Sequence, residues 1–233
     1  MTDHPSIADH LLIWLFGIIF PFLSGLQSDK LNGGIRFDAA TRKRLYLGNS
    51  LVLATAGFIV LAAWYWQDRP WSTMGFMKPV IKEYFVVLGA ALMLILLYSA
   101  DLIYSSRSNK EPEEAWFERS SFLPQSYKEL PFYLLLCLCA GFFEEIIYRG
   151  FMVNYFLGEP SGDIPWLAML APAFLFSLAH FYQGWSAVMK IMILAVLLNV
   201  IYLYSGSIYP TMIIHFLIDL ISGIAGMRKT KTQ

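Results

Sequence analysis

LLLCLCAGFFEEIIYRGF, residues 134–151, places two adjacent glutamates, Glu144 and Glu145, and one arginine, Arg149, in a run that otherwise reads as membrane or core helix. A charged side chain at bilayer depth costs roughly 3 kcal/mol on insertion scales and more in simulations. Three of them within one and a half helical turns is a heavy load for a segment with no use for them. Glu145 and Arg149 are spaced i,i+4 with the acid first, the favourable order for a helical ion pair. On a regular α-helix Glu144 points about 100° away from Glu145. Ala140 and Gly141 lie in its column and leave room there for a second helix or a small cavity. The expected division of labour is that Arg149 neutralises Glu145 and fixes the helix, while Glu144 stays available as a general base.

The rest of the chain supports a membrane setting. Of its 233 residues, 57% are hydrophobic and 15% charged, where soluble domains carry about 25% charged residues. Seven Trp, thirteen Tyr and eighteen Phe suit interfacial belts and packed membrane helices. The expected fold is all-α, a polytopic helical membrane protein. Net charge is zero, and no basic cluster is interleaved with aromatics, so a nucleic-acid partner is not expected. The first ten residues, MTDHPSIADH, lack the basic start of a cleavable signal peptide. Cys137 and Cys139 stand two apart in an apolar helix and do not share a face, so they read as small buried residues, not a redox pair.

Seven apolar segments follow one another at about 11–27, 45–66, 80–104, 131–157, 164–182, 185–204 and 207–226. A span needs about 20 apolar residues. The first segment is short and contains Pro21, which suits an interfacial or re-entrant piece as well as a span. Basic residues concentrate on alternate connections: Lys30, Arg36, Arg42, Lys43 and Arg44, then Arg107, Lys110, Arg119 and Lys128, then Arg228, Lys229 and Lys231. The other connections hold only Arg69 and Lys78. The positive-inside rule makes the rich side, with the C-terminus, cytoplasmic. Residues 105–130 form the one long polar connection, in which EPEEAWFER, 111–119, suits a short amphipathic surface helix. The expected organisation is an N-terminal three-helix membrane region, 1–104, a cytoplasmic connector, 105–130, and a four-helix catalytic core with a basic tail, 131–233.

The unusual polar residues all fall in the last part. Phe176, Ser177 and His180 share a face of the fifth segment. His215 and Asp219 are i,i+4 in the seventh, where an Asp one turn after a His can accept its ring N–H and set the tautomer. Asn199, in the sixth, suits an interhelical bridge. Brought into one cavity, Glu144 and His180 would deprotonate a water, and His215 with its neighbour would stabilise an oxyanion. Glu144, His180 and His215 also match a three-ligand catalytic Zn2+ site with an open position. No HExxH spacing supports a metal, so the metal-free version is preferred and no cofactor is expected. Counted along straight helices, Glu144 lies about 20 Å from the cytoplasmic end of its segment and His180 about 20 Å from the outer end of its own. That places them in different leaflets unless helix ends shift.

Glu144-Glu145-x-x-x-Arg149 with Phe151, then Phe176-x-x-x-His180, then His215-x-x-x-Asp219, in this order and each in an apolar helix, resemble the motifs of the CAAX-protease and bacteriocin-processing family of intramembrane proteases, also called the Abi family. The resemblance covers about 131–226. It implies peptide-bond hydrolysis in or near the bilayer, with Glu144 and His180 activating water and His215 and Asp219 at the oxyanion. The implied partners are membrane lipid and a peptide or lipidated-protein substrate, prenylated at a C-terminal CAAX sequence in eukaryotic relatives. Other members act in peptide maturation, in immunity to bacteriocins, or as membrane scaffolds. Asp219 stands where CAAX-cleaving relatives usually carry Asn. An ionised Asp cannot donate a hydrogen bond, so oxyanion duty falls better on His215.

Overall fold

The computed structural model describes residues 5–32, 37–80, 83–107, 122–158 and 165–231, and every element among them is helical. Seven helices replace the seven apolar segments. Helix α1 runs without a break through Ile7–Ile13, a π-helical stretch at Trp14–Ile19, and Phe20–Asn32; α2 is Ala39–Trp66, α3 Tyr84–Arg107, α4 Leu130–Gly158, α5 Pro165–Ala179, α6 Trp185–Ser205 and α7 Tyr209–Lys231. Ile7–Leu26, Ala39–Trp66, Leu130–Gly158 and Trp185–Ser205 are long and apolar enough to cross a membrane, and Tyr84–Ala100, Trp166–Ala179 and Tyr209–Ala225 are shorter apolar helices. Phe85 is 89% exposed and Trp66 86%. Such wide apolar surface suits hydrocarbon, not water. This is a helical membrane protein.

The first segment is a full-length helix. Pro21 has no N–H to give to the carbonyl one turn earlier. The chain absorbs this with wide turns just before it, where the Phe20 N–H reaches back to Leu15 O. The start of α1 is fixed by a capping box between Ser6 and Asp9. The Asp9 carboxylate also accepts both terminal nitrogens of Arg69, at 3.0 and 2.6 Å, which ties α1 to the end of α2.

Helix α4 packs against α2, α5, α6 and α7. Helix α7 runs antiparallel to it. Tyr133 abuts Gly223, and a Cβ on Gly141 would sit 2.9 Å from Phe216 N and 3.1 Å from Met212 O. No side chain fits that gap, so glycine sets the closeness of α4 and α7. Helices α5 and α6 form a hairpin, and α3 lies outside it, packing Ala90 and Leu94 on Leu198 and Ile201. Leu12, Phe16, Ala56 and Val60 share one core with Phe143, Ile146, Phe151 and Phe176. The region 1–104 and the four C-terminal helices thus pack into a common interior. The expected surface helix at 111–119, and most of the 105–130 connector, lie outside the described residues.

One buried ion pair ties the start of α4 to α2. Glu129 accepts from Arg42 Nε at 2.6 Å and Nη2 at 3.2 Å, from Ser126 Oγ at 2.7 Å and from Gln125 N–H at 3.3 Å. Arg42 also donates to Phe37 O. Burial pushes the Glu129 carboxyl upward, but these donors outweigh it and hold the group below its ordinary value of 4.5. A carboxylate whose pKa is lowered on folding stabilises the fold above its unfolded pKa and loses that contribution as pH falls through the folded value. The thermal midpoint in detergent is therefore expected to drop as pH falls below 4.5. Glu129→Gln is expected to start lower at pH 7 and to show a shallower drop. Parallel curves for the two proteins would remove Glu129 from the acid response.

Candidate functional site

Within α4 the residues Ala140–Glu144 and Ile146–Val153 are wound as π turns. Such turns are rare and often mark functional positions. They widen the helix where its charges sit, and the side chains depart from the simple α wheel. Glu145 and Arg149 do pair, with Nη1 to Oε1 at 2.8 Å, and both are wholly buried. The same Glu145 oxygen also lies 2.8 Å from His215 Nδ1. Glu144 Oε2 lies 3.6 Å from His215 Nε2. Glu145 therefore holds the imidazole at Nδ1 and is paired with Arg149, while Glu144 stands near Nε2 beyond hydrogen-bond distance. The reason is packing: the glycine contact at Gly141 seats α7 in the sector between them.

That geometry corrects the expectation for Asp219. A carboxylate ionised against Arg149 only accepts, so His215 Nδ1 carries a proton and donates it to Glu145. The orienting acid of His215 is Glu145, from another helix. Asp219 Oδ2 stands 3.6 Å from Nε2, too long for a hydrogen bond, and its side chain is 34% exposed. Its place is held by the backbone: Tyr133 OH donates to Asp219 O at 3.0 Å, and Tyr98 OH to Ile218 O at 3.1 Å. The motif spacings carry no signal for these two phenols or for the Glu145–His215 bond, because each partner comes from a distant helix.

Phe176 joins the halves of the site. Its ring is 4.6 Å from His180, 5.8 Å from His215 and 4.9 Å from Tyr148, centroid to centroid, and the Arg149 guanidinium lies 4.8 Å over it. His180 follows the last residue of α5, and its Nδ1 is 2.9 Å from Phe176 O. A carbonyl only accepts, so Nδ1 bears the hydrogen and the Nε2 lone pair is left for another partner. Asn199 accepts from Arg149 Nε at 3.0 Å and donates to Met169 O at 2.6 Å, linking α4, α5 and α6.

The expected separation into two leaflets is overturned by register. Helices α4 and α5 are antiparallel, with Tyr148 against Phe176. One turn back from Tyr148 on α4 and one turn on from Phe176 on α5 bring Glu144 and His180 to the same level. The straight count went wrong because α4 continues to Gly158, longer than the apolar thickness, while α5 stops at Ala179. His180 thus sits at the tip of the α5–α6 hairpin, level with the middle of α4, about 20 Å along it from Leu130.

Among the described residues, no three His, Cys, Asp or Glu side chains form a group able to hold a metal ion. The alternative Zn2+ ligands, Glu144, His180 and His215, form no such group. A cavity of about 190 Å³ is lined by Asp9, Trp64, Arg69, Thr73, Asn154 and Tyr155, and by none of the motif residues.

Residues 126–221 match the family model described as "Type II CAAX prenyl endopeptidase Rce1-like". The stretch contains all the motif residues, and the resemblance to the CAAX-protease family is shown over it. No curated protein and no solved structure matches the chain.

Proposed function

We propose that the Rce1-like part of this membrane protein hydrolyses a peptide bond at the level of Glu144, with water as the nucleophile. The observation that carries this reading is the placing of His215: it is fixed at Nδ1 by Glu145 while its Nε2 lies 3.6 Å from Glu144, and His180, bonded through Nδ1 to its own turn, packs on the same Phe176 ring. Glu144, with His180, takes a proton from water, and the hydroxide adds to the scissile carbonyl carbon. His215, protonated on both nitrogens among three carboxylates, donates Nε2–H to the oxyanion. On collapse the C–N bond breaks and the held proton passes to the leaving amine. Asp219 supports the charge on His215 from 3.6 Å and is not itself the donor. Glu145, Arg149, Phe176 and Asn199 hold this arrangement in place.

The substrate class is a membrane-associated peptide, with prenylated C-terminal CAAX sequences first among candidates. The test is purified protein in proteoliposomes against farnesylated CAAX peptides and unmodified apolar peptides, read by mass spectrometry in H2(18)O. The expected result is one 18O in the new carboxylate, with no hydroxamate formed when hydroxylamine is added. Absence of cleavage across the panel would favour the second reading, a non-catalytic scaffold or immunity protein. That reading draws on the full burial of Glu145, Arg149 and Asn199, whose mutual bonds serve packing in either case.

A further inference from the structure

Helix α1 lies outside the matched stretch, yet it reaches the site. It runs parallel to α5 and close to it. A Cβ on Gly17 would come 3.0 Å from Leu175, and one on Gly25 would come 3.8 Å from Phe181. Between them Ser24 Oγ donates to Ala179 O at 2.7 Å. Small residues let two membrane helices approach this closely, and a hydroxyl then bonds across the gap.

The accepting carbonyl matters because of where α5 stops. A helix end leaves its last carbonyls without partners in the helix. Here Phe176 O takes His180 Nδ1, Ser177 O takes the His180 N–H at 3.1 Å, His180 O takes Gln183 N–H at 2.9 Å and Phe181 O takes Gly184 N–H at 2.9 Å. All four bonds are local to the turn. The bond at Ala179 O comes from another helix. That carbonyl shares its peptide plane with the nitrogen of His180, which sits at φ −97° and ψ 13°, outside the helix. Fixing the plane fixes the direction in which the His180 side chain leaves the chain.

We infer that Ser24 is a positioning residue: it holds the peptide plane before His180 and so aims the imidazole at the level of Glu144. The inference rests on the hydrolytic reading for its effect on rate, though not for its effect on the ring. Three variants test it: Ser24→Ala, Ser24→Thr, and Thr55→Ala as a control, since Thr55 Oγ1 donates to Leu51 O from an exposed face of α2. Modification of His180 by diethyl pyrocarbonate is mapped by mass spectrometry, with His10 as internal reference. In Ser24→Ala the half-buried ring gains exposure, and its modification rate is expected to rise several-fold. Turnover on a cleaved peptide is expected to fall about fivefold at constant KM, equivalent to one hydrogen bond of about 1 kcal/mol. Ser24→Thr restores both, and Thr55→Ala changes neither. Unchanged His180 reactivity in Ser24→Ala, or no recovery with Thr, would overturn the inference. A change in reactivity in a protein that cleaves nothing would uphold Ser24 and reject the hydrolase.

Discussion

Glu144→Gln and His180→Ala are each expected to lower turnover by about 10²–10⁴-fold, the range of general acid–base catalysis, while both proteins remain folded. Glutamine keeps the volume of Glu144 and removes only its basicity. Glu144 makes no hydrogen bond that holds a helix; its contact is the 3.6 Å approach to His215 Nε2. His180 stands beyond the end of α5, and its ring bonds only to its own turn. Glu144→Gln strands no buried partner and His180→Ala releases only the Phe176 carbonyl at the helix end, so the thermal midpoint in detergent should move by no more than a few degrees. The double variant is expected to fall little below the worse single one, because residues acting on one proton transfer are not additive. Steady-state rates together with thermal midpoints check this. Full turnover in either variant would remove that residue from the chemistry. Large losses of stability without any measurable cleavage in the parent would instead favour the scaffold.

Arg149→Ala is expected to act the other way, with a stability loss of about 3–5 kcal/mol, the usual result of removing one member of a buried ion pair. Arg149 is wholly buried and gives Nη1 to Glu145, Nε to Asn199 and its charge to the Phe176 ring. Its removal leaves the Glu145 carboxylate buried against His215 without its guanidinium counter-charge, and Glu145 Oε2 already has no hydrogen-bond partner among the described residues. Glu145→Gln should be milder, since an amide oxygen still accepts from His215 and Arg149 while the charge is lost. Chemical unfolding followed by tryptophan fluorescence gives the comparison. An Arg149→Ala protein as stable as the parent would mean that the network contributes nothing to folding. Any role for the arginine would then have to show in turnover.

Several things were legible from the chain alone. The seven apolar runs became seven helices, because backbone groups in lipid must be satisfied within each segment and length then sets each element. The Glu145–Arg149 pair survives the π turns, since neighbours along a helix meet whatever lies across from them. Asn199 bridges helices because a buried amide must find partners. The three motifs led to the same family that residues 126–221 match.

What failed were the finer inferences about how the residues of neighbouring helices meet. Asp219 looked like the partner of His215 because it lies one turn away, yet Glu145 holds that ring from α4. Glu144 and His180 looked to be in different leaflets, yet the contact of Tyr148 with Phe176 sets them level. Ser24, 155 residues from Ala179 along the chain, carried no signal at all. Local spacing, apolar length and the need to satisfy buried charge belong to the sequence, because they act within one helix and its solvent. Helix register, the closeness of α4 and α7 at Gly141, and the choice of carboxylate for each imidazole belong to the tertiary structure. They arise from contacts between surfaces that meet only when all seven helices are packed.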